Sequence, residues 1–414
     1  MASQPASDPS LSLYRLLDPA VLADPYPLYA RLREEDPVHW DPFLHCWVVT
    51  RYADVHSVLH SFSADRTPSP ESMRALGLAH IEPIAAVMVK QMLFLDAPDH
   101  TRLRKLCSQA FTPRRVELLE ERIVTIANEL VDKALAKGSM DVIADFAAPF
   151  PAIVTAHLLG VPSADHVQLK AWSADFAEML GNFQHNPERV GQVLKSVADM
   201  TAYFRSAIRE EERKLGDGLI RSLVEAEIDG ARLSEEEVIA NIIVTMVGGQ
   251  ETTTNLIGNG LLTLLQQPEK LAELRDHPEI AESAVEELLR YETPSQHTAR
   301  IVKQDTEIGG KLMKKGEAVM AVMAAGNRDP ERFPNPDELD LTRTDNRHLA
   351  FGWAAHFCFG AALARMEARI SYLALLARME DIHVAVPEST LEWRTNSGLR
   401  GLSALPLAFR PVEA

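Results

Sequence analysis

Apolar residues recur at three- and four-residue spacing through most of residues 98–290, which is the pattern of helices that turn one face to a core. The clearest helix starts at Ser234, because Ser234 and Glu237 have the spacing of a capping box. It continues without proline to Gln267 and stops at Pro268, so its length approaches ~50 Å at about 1.5 Å per residue. The pattern predicts a mainly α-helical protein with one long helix.

A minor β portion is predicted on both sides of this helical region. Residues 38–60 predict a short β-hairpin followed by a helix, and residues 311–323 predict strands around a turn at Lys315 and Gly316. A proline-rich meander leads to a helix over residues 360–379, and the chain ends in short strands. The order of elements favours one α-dominated body with a small amount of sheet.

Two segments show little periodicity. Residues 65–95 contain several prolines and predict a long loop around one short helix, and loops of that length are usually functional. Residues 1–20 predict a loose lead-in to a single domain that spans residues 1–414.

Composition and charge narrow the class of protein. Of 414 residues, 46% are apolar and 24% are charged, which is typical of a globular chain and not of a disordered one. The net charge of −17 argues against a general nucleic-acid binder, which needs a basic surface. We find neither a signal pattern at the N-terminus nor a run of ~18 apolar residues, so we expect no membrane span and a cytoplasmic location.

The cysteines are Cys46, Cys107 and Cys358, and their spacing matches neither a zinc motif nor a disulfide framework. Cys358 lies directly before a predicted helix, where the helix dipole lowers the pKa of a thiol and favours the metal-binding thiolate. Gly352 and Gly360 permit a tight loop around it. An apolar wall that would suit a large planar cofactor is supplied by Phe351, Trp353, Phe357 and Phe359. Without further context, a buried free cysteine in a hydrophobic turn is the favoured explanation of these features.

The whole segment resembles the haem-binding signature of the cytochrome P-450 family, Phe-Gly-x-Gly-x-His-x-Cys-x-Gly. Every fixed position matches except Ala354, where glycine is usual. The resemblance extends over about residues 18–407 and implies the cytochrome P-450 fold, with the long helix over the haem. It implies haem b (heme b, iron protoporphyrin IX) with Cys358 as the metal ligand, and Phe351, Gly352 and Gly360 beside the cofactor. An axial thiolate pushes electron density onto the iron and favours cleavage of the O–O bond.

The long helix carries Gly248 and Gly249 followed by Glu251 and Thr252, and two glycines cost about 2 kcal/mol in a helix relative to alanine. In isolation this predicts a tolerated kink or close helix packing. The stretch is similar to the oxygen-activation motif of the family, in which the helix opens a groove above the iron. By that resemblance Glu251 relays protons and Thr252 hydrogen-bonds the iron-bound oxygen, which is general-acid catalysis.

Glu287 and Arg290 lie three residues apart on one predicted helix face, a spacing that an exposed ion pair explains equally well. The resemblance implies a structural triad that supports the haem pocket, completed by Arg332.

The haem propionates need cationic partners. His100 and Arg104 share a helix face, which in isolation is the pattern of a solvated basic surface. The resemblance assigns both to a propionate and adds Arg300 and His348.

The resemblance implies a monooxygenase that inserts one atom of O2 into an unactivated C–H or C=C bond of a medium-sized lipophilic molecule, such as a polyketide, terpenoid, steroid or fatty acid. By analogy the substrate lies among residues 88–95, 176–185, 244–248, 295–298 and 396–399. The residues expected in contact with it are Met88, Phe94, Val244, Gly248, His297 and Leu399.

Electrons must come from another protein, because the chain shows no flavin-binding or iron–sulfur segment. We expect a monomer served by a ferredoxin or flavodoxin with its NAD(P)H reductase. A docking patch is predicted at Arg102, Lys105, Arg114 and Arg115, although scattered surface charge explains these residues equally well. A peroxide-using enzyme, a haem-based sensor and a non-haem helical interaction protein remain alternatives.

Overall fold

The computed structural model describes residues 8–67, 70–75, 77–179, 187–213 and 218–413. Its α-helices, in chain order, are α1 (Pro19–Ala23), α2 (Tyr26–Glu35), α3 (Tyr52–Ser61), α4 (Pro70–Ala75), α5 (Glu82–Met88), α6 (Asp99–Ala110), α7 (Pro113–Glu117), α8 (Glu120–Lys137), α9 (Pro149–Leu159), α10 (His166–Ala177), α11 (Pro187–Arg213), α12 (Leu219–Glu225), α13 (Glu235–Leu265), α14 (Pro268–Asp276), α15 (Ala281–Tyr291), α16 (Met323–Gly326) and α17 (Ala361–Arg378).

The strands are short and form a minor part of the fold. They are β1 (Val38–Asp41), β2 (Cys46–Val49), β3 (Ser139–Asp141), β4 (Glu227–Ile228), β5 (Ala231–Arg232), β6 (Thr298–Ile301), β7 (Thr306–Ile308), β8 (Lys311–Met313), β9 (Ala318–Ala321), β10 (Met379–Val384) and β11 (Pro406–Pro411). The largest sheet has the order β1-β2-β9-β6, in which β2 and β9 run parallel and the other pairs are antiparallel. A second sheet has the order β10-β11-β3. The prediction of a mainly α-helical protein with a minor β portion is confirmed.

The long helix α13 is the central element of the helical body. The Ser234 hydroxyl accepts the backbone N–H of Glu237, and the Glu237 carboxylate accepts the N–H of Ser234, so both halves of the predicted capping box are present. α13 packs against α9, α10, α11 and α17. Its apolar residues are buried around most of its circumference, which is expected of a helix in the middle of a core.

Two expectations from the sequence are wrong in detail. Residues 8–20 are not loose, because Leu13 and Leu16 are buried and the Ser12 hydroxyl donates to the Asp41 carboxylate on β1 at 2.8 Å. Residues 65–95 contain more helix than predicted, since α4 and α5 and two short 3-10 turns lie in or near this segment. Buried apolar side chains order both segments, although neither has a regular helical period.

One helical window is also more apolar than expected. Residues Val142–Leu159 have a mean hydropathy of 1.6 over 18 residues, which by length and composition could cross a membrane. However, 72% of this window is buried inside the fold, and it comprises a π-helical turn (Val142–Ala147) followed by α9. Such burial is typical of a core helix.

Candidate active site

The loop around Cys358 is a tight turn between residue 349 and α17. The Cys358 N–H donates to the Phe351 carbonyl at 2.8 Å, and the Gly352 N–H donates to the Leu349 carbonyl, also at 2.8 Å. Gly352 has φ 69° and Ala354 has φ 55°, both in the left-handed region. The position where the family signature has glycine is therefore one that disfavours a side chain, and Ala354 adopts the strained conformation without changing the turn.

A cavity of about 300 Å³ opens above this loop. Of the three cysteines, only Cys358 lies on its wall, since Cys46 and Cys107 are buried elsewhere. The loop and α17 contribute Phe351, Gly352, His356, Phe357, Cys358, Phe359, Gly360, Leu363, Ala364 and Glu367. The helix α13 contributes Val244, Thr245, Gly248, Gly249, Thr252, Thr253 and Leu256. The remaining wall is mostly apolar and includes Met92, Leu93, Phe111, Leu158, Leu289, Pro294 and Met323.

Burial dominates the ionisation of Cys358. It raises the pKa of the thiol above its ordinary value, although the Gly360 N–H and the charges of Arg104 and Arg365 lower it. The direction is opposite to the lowered pKa expected from the helix dipole alone, because burial outweighs the dipole. A bound metal ion would deprotonate a coordinating thiol outright.

The glycines of α13 lie where the helix passes the cavity. The helix is continuous through Gly248 and Gly249. The Thr252 hydroxyl lies on the cavity wall and donates to the Gly248 carbonyl at 2.7 Å, a bond to the preceding turn that threonine commonly makes in helices. No atom comes within 4 Å of the position where a Cβ of Gly248 would lie, so the glycine leaves space beside Thr252.

Glu251 does not face the cavity. Its side chain is only 6% exposed, and its carboxylate accepts a hydrogen bond from Arg394. The structure thus separates the two residues that the sequence placed together, because successive residues of a helix point about 100° apart. Another carboxyl group, that of Glu367, lies on the cavity wall, and burial raises its pKa well above the ordinary value despite a hydrogen bond from Thr253.

Cationic side chains gather at one edge of the cavity. His100, Arg104 and Arg300 all line it, as predicted, and the ring of His356 lies 4.1 Å from that of His100 between centroids. Burial and the neighbouring His100 and Arg300 lower the pKa of His356 to about 3, and burial lowers that of Arg300 to about 10. The buried Nε2 of His100 and Nε of Arg300 have no hydrogen-bond partner among the residues that the structure describes. Carboxylates of a ligand at this edge would accept hydrogen bonds from Nε2 of His100 and Nε of Arg300. Their negative charge would also raise the lowered pKa values of His356 and Arg300.

Comparison with known proteins identifies the family. The Cytochrome P450 family model matches residues 45–282 and 274–381. The chain is 38% identical over 393 residues to the Biotin biosynthesis cytochrome P450 of Bacillus subtilis (strain 168), covering 94% of this chain and 97% of that protein. It is 39% identical over 418 residues to the Cytochrome P450 monooxygenase PikC of Streptomyces venezuelae, covering 98% of this chain and 95% of that protein.

The chain belongs to the cytochrome P450 family. Its fold is similar to the crystal structure of P450BioI in complex with hexadec-9Z-enoic acid ligated acyl carrier protein, with a TM-score of 0.89 and 36% identity over 95% of this chain and 99% of that one. Cytochromes P450 are haem-thiolate enzymes that use O2, and the class of reaction is therefore that of a monooxygenase. The orphaned polar atoms of His100 and Arg300 fit the propionates of such a haem, and the aromatic side chains of the cysteine loop fit its ring.

The triad of this P450 differs from the prediction in one member. Arg290 and Glu287 are completely buried and joined by two hydrogen bonds of 2.7 and 2.8 Å. The second arginine is Arg343, whose Nε donates to Glu287 at 3.1 Å. Arg332 instead bonds Asp345 at 2.8 Å, so the prediction for Arg332 is wrong. The sequence has three arginines in the meander, Arg332, Arg343 and Arg347, and only the path of the chain distinguishes them.

His348 is likewise misplaced in the prediction. It is buried outside the cavity wall, where its Nδ1 accepts the Ala350 N–H at 3.2 Å and its Nε2 lies 3.3 Å from the Glu286 carboxylate. The histidine at the cationic edge is His356, which is a fixed position of the signature and could have been recognised from it. Sequence reasoning also missed Arg66, which is half-buried near the same edge and lies 4.5 Å from the centre of the Phe94 ring, because no motif surrounds it.

The six residues predicted to contact the substrate differ in their relation to the cavity. Val244 and Gly248 line the cavity, but Met88, Phe94, His297 and Leu399 do not. Within the predicted ranges 88–95 and 295–298, the residues on the wall are Met92, Leu93, Ser295 and Thr298. Residues 180–185 lie outside the described residues. A shift of a few residues is the expected error where irregular segments, without a helical period, approach a cavity.

Two of the four residues of the predicted docking patch have partners within the fold, and the other two are exposed. Arg102 forms an ion pair with Glu237, and Arg115 donates to the Ala110 carbonyl at 2.8 Å and to Ser222. Lys105 and Arg114 are exposed.

Proposed function

We propose that this P450 binds haem b in the cavity, with Cys358 as the ligand to iron, and oxidises a C–H or C=C bond of a medium-sized lipophilic molecule. The observation that carries the proposal is the position of Cys358, the only cysteine on the wall of an apolar cavity whose opposite side is formed by Val244, Gly248 and Thr252 of α13. When bound, the haem supplies the binding and reductive activation of O2, and a thiolate ligand favours O–O cleavage.

The cationic edge would hold the two propionates. His100, Arg104, Arg300 and His356 all line the cavity there, and Arg104 is oriented by a hydrogen bond from its guanidinium to the Phe357 carbonyl at 2.9 Å. Arginine is suited to this role because it stays charged and presents several donors in one plane. Phe351, Gly352 and Gly360 would lie against the ring on the cysteine side.

Thr252 would hold a proton at its hydroxyl next to the haem. In the protein alone that hydroxyl donates to the Gly248 carbonyl, so its lone pairs can accept a hydrogen bond from a proton-carrying group in the cavity and hold that proton there. Glu251 lies on the side of α13 that faces away from the cavity, where its carboxylate is paired with Arg394. A proton relay through Glu251 therefore requires that this ion pair open.

An apolar substrate is favoured by the wall of the cavity. Val244, Leu93 and Met92 lie on the wall, with hydroxyl groups only at scattered points such as Ser295 and Thr298. A small number of polar groups can orient a ligand in such a cavity, while the cavity as a whole still favours an apolar ligand. A fatty-acyl or polyketide skeleton is supported by the P450BioI complex with hexadec-9Z-enoic acid ligated acyl carrier protein and by a relative at 37% identity, the Polyketide biosynthesis cytochrome P450 PksS of Bacillus subtilis (strain 168).

Electrons would come from a ferredoxin or flavodoxin and its NAD(P)H reductase, in the cytoplasm, with the P450 acting as a monomer. Lys105 and Arg114 are the members of the predicted patch that stay exposed for an acidic partner. Their joint replacement by glutamine should slow reduction most at low salt, because screening weakens such pairs. An unchanged rate at low salt would exclude this surface.

The ligand is tested by the spectrum of the reduced protein with carbon monoxide. The parent and a Cys107→Ala control should show the strongly red-shifted Soret band of thiolate-ligated haem, and Cys358→His should lose it. Cys107 is a matched control because it is buried in α6 and does not line the cavity. A red-shifted band that persists in Cys358→His would refute the assignment.

The role of Thr252 is tested by the fate of reducing equivalents. Thr252→Ala should divert most NAD(P)H consumption to hydrogen peroxide, whereas Thr252→Ser, which keeps the hydroxyl, should stay close to the parent. Equal coupling of Thr252→Ala and Thr252→Ser would exclude a proton-holding role for the hydroxyl.

A further inference from the structure

A second carboxylate lies beside the buried triad, on the same helix. Glu286 of α15 accepts two hydrogen bonds from Arg365 of α17, at 2.6 and 2.8 Å. Its Oε2 also lies 3.3 Å from Nε2 of His348. The two partners come from opposite sides of Cys358 in the chain, ten residues before it and seven residues after it. Glu286 therefore joins the segments on both sides of the cysteine loop.

Both partners also contact the loop itself. The Arg365 guanidinium lies 4.6 Å from the centre of the Phe351 ring, and His348 accepts the Ala350 N–H at 3.2 Å. The Phe351 carbonyl in turn accepts the N–H of Cys358 at 2.8 Å. The contacts form a continuous path from the Glu286 carboxylate to the backbone of the cysteine.

The same network places a positive charge beside the cysteine loop. The Arg365 guanidinium lies against the ring of Phe351, whose carbonyl accepts the Cys358 N–H. Glu286 opposes that charge at hydrogen-bond distance. Although burial alone raises the pKa of Glu286, hydrogen bonds from Arg365 and His348 outweigh it and lower the pKa to about 2, so the carboxylate is ionised at neutral pH.

We propose that Glu286 is a positioning residue that holds the cysteine loop through His348 and Arg365, and that the Glu286–Arg365 pair sets the reduction potential of the haem iron. The proposal rests on Cys358 as the haem ligand, which the spectrum of Cys358→His tests separately. Glu287, its neighbour, faces Arg290, Arg343 and Asn346 and has no contact with the cysteine loop among the contacts that the structure describes.

The pair predicts shifts of opposite sign for its two members. One-electron reduction adds negative charge at the iron, so a nearby positive charge favours the reduced form. Glu286→Gln leaves Arg365 unopposed and should raise the potential. Arg365→Met removes the positive charge and should lower it. General loosening of the loop would instead move both variants in the same direction.

The experiment is a spectroelectrochemical titration of the haem-loaded parent, the two single variants and the double variant. We expect the single variants to differ by about tenfold in the ferric–ferrous equilibrium constant, about 59 mV for one electron, with the double variant between them. Matched controls are Glu282→Gln, an exposed glutamate of α15, and Arg369→Met, which pairs with Glu120 one turn along α17. Both controls should stay near the parent.

The outcomes distinguish an electrostatic effect of the Glu286–Arg365 pair from general loosening of the loop. Shifts of the same sign in both single variants, or shifts no larger than those of the controls, would overturn the proposal. If Glu286→Gln does not retain haem, Arg365→Met and the charge-preserving Arg365→Lys decide the matter. A lowered potential in Arg365→Met together with a parent-like potential in Arg365→Lys supports the proposal, and equal potentials in these two variants overturn it.

Discussion

The two walls of the cavity are held in different ways. On the cysteine side, buried charged groups fix the meander that leads into the cysteine loop: Glu287 receives hydrogen bonds from Arg290, Arg343, Asn346 and the N–H of Asp340. On the opposite side, α13 presents Val244 and its neighbours, whose position depends on apolar packing. Directional contacts to ions define one geometry, whereas apolar packing tolerates changes of shape. The wall that we propose to hold the cofactor is therefore fixed by directional contacts, and the wall that we propose to contact the substrate can vary in shape.

The difference has an energetic consequence. A buried ion pair is costly to break, because the remaining charge is left without a partner in a medium of low dielectric constant. An apolar residue at a cavity wall has no such partner to lose. Its substitution mainly changes the volume that is left for a ligand. Substitutions on the cysteine side should therefore act on folding, and those on the α13 side on the choice of ligand.

The largest effect is expected at Glu287. Glu287→Gln leaves Arg290, which is completely buried, without its counter-charge and should destabilise the protein by about 3–5 kcal/mol. The measurement is the free energy of unfolding in urea, beside Glu282→Gln on the exposed face of the same helix. A loss below about 1 kcal/mol for Glu287→Gln would mean that this wall is not held by the ion pair.

On the α13 side, Val244→Phe should change ligand binding with little loss of stability. The larger ring takes space from the cavity, so 4-phenylimidazole should bind about tenfold more weakly, or about 1.4 kcal/mol. Imidazole, which is smaller, should bind within about threefold of the parent in the same spectral titration. Val167→Phe, on an exposed part of α10, is the matched control. Equal weakening for both probes would indicate damage to the haem and not a change of shape.

The pH dependence of stability should identify the contribution of Glu286. Its pKa is about 2 in the folded protein and 4.5 ordinarily, so it stabilises the fold at pH values above 4.5, and this contribution is lost as the pH falls towards 2. Its charged and titratable partners are Arg365 and His348. The urea midpoint of the parent should thus exceed that of Glu286→Gln at pH 6, and the difference should shrink as the pH approaches 2. A difference that does not depend on pH would contradict this origin.

The smallest effect is expected at Ala354. Its φ of 55° costs a residue with a side chain roughly 1–2 kcal/mol, a cost that glycine does not have. Glycine loses part of this advantage because it gives the unfolded chain more conformational freedom. Ala354→Gly should stabilise the protein by about 0.5–1 kcal/mol in the same urea assay, with an unchanged carbon monoxide spectrum. A destabilised Ala354→Gly would show that the methyl group packs favourably in the loop.

Several features of the site could be predicted because they depend on residues that are close in sequence. The signature around Cys358, the capping box of Ser234 and the Glu287–Arg290 pair each involve positions within about one turn or one short loop. Local backbone geometry determines such contacts. The same holds for the contribution of Val244 and Gly248 to the cavity, since the period of α13 places them on one face.

The errors concern partners that are distant in sequence. Glu251 and Arg394 are 143 residues apart, and Glu287 and Arg343 are 56 apart, so neither pair has a local signal. His348 and Arg332 have the right residue type, yet the path of the meander brings His356 and Arg343 to the cavity edge and the triad instead.

The amino-acid sequence is thus sufficient for the family, the helical class and the position of the cysteine ligand, because capping, periodicity and a tight loop are properties of short segments. Other features depend on the folded chain. They are which arginines and histidines reach the site, which side of α13 Glu251 faces, and the contacts of Glu286 with both sides of the cysteine loop. A charged group pairs with whichever opposite charge the packing of distant elements brings within hydrogen-bond reach, and composition leaves that choice open.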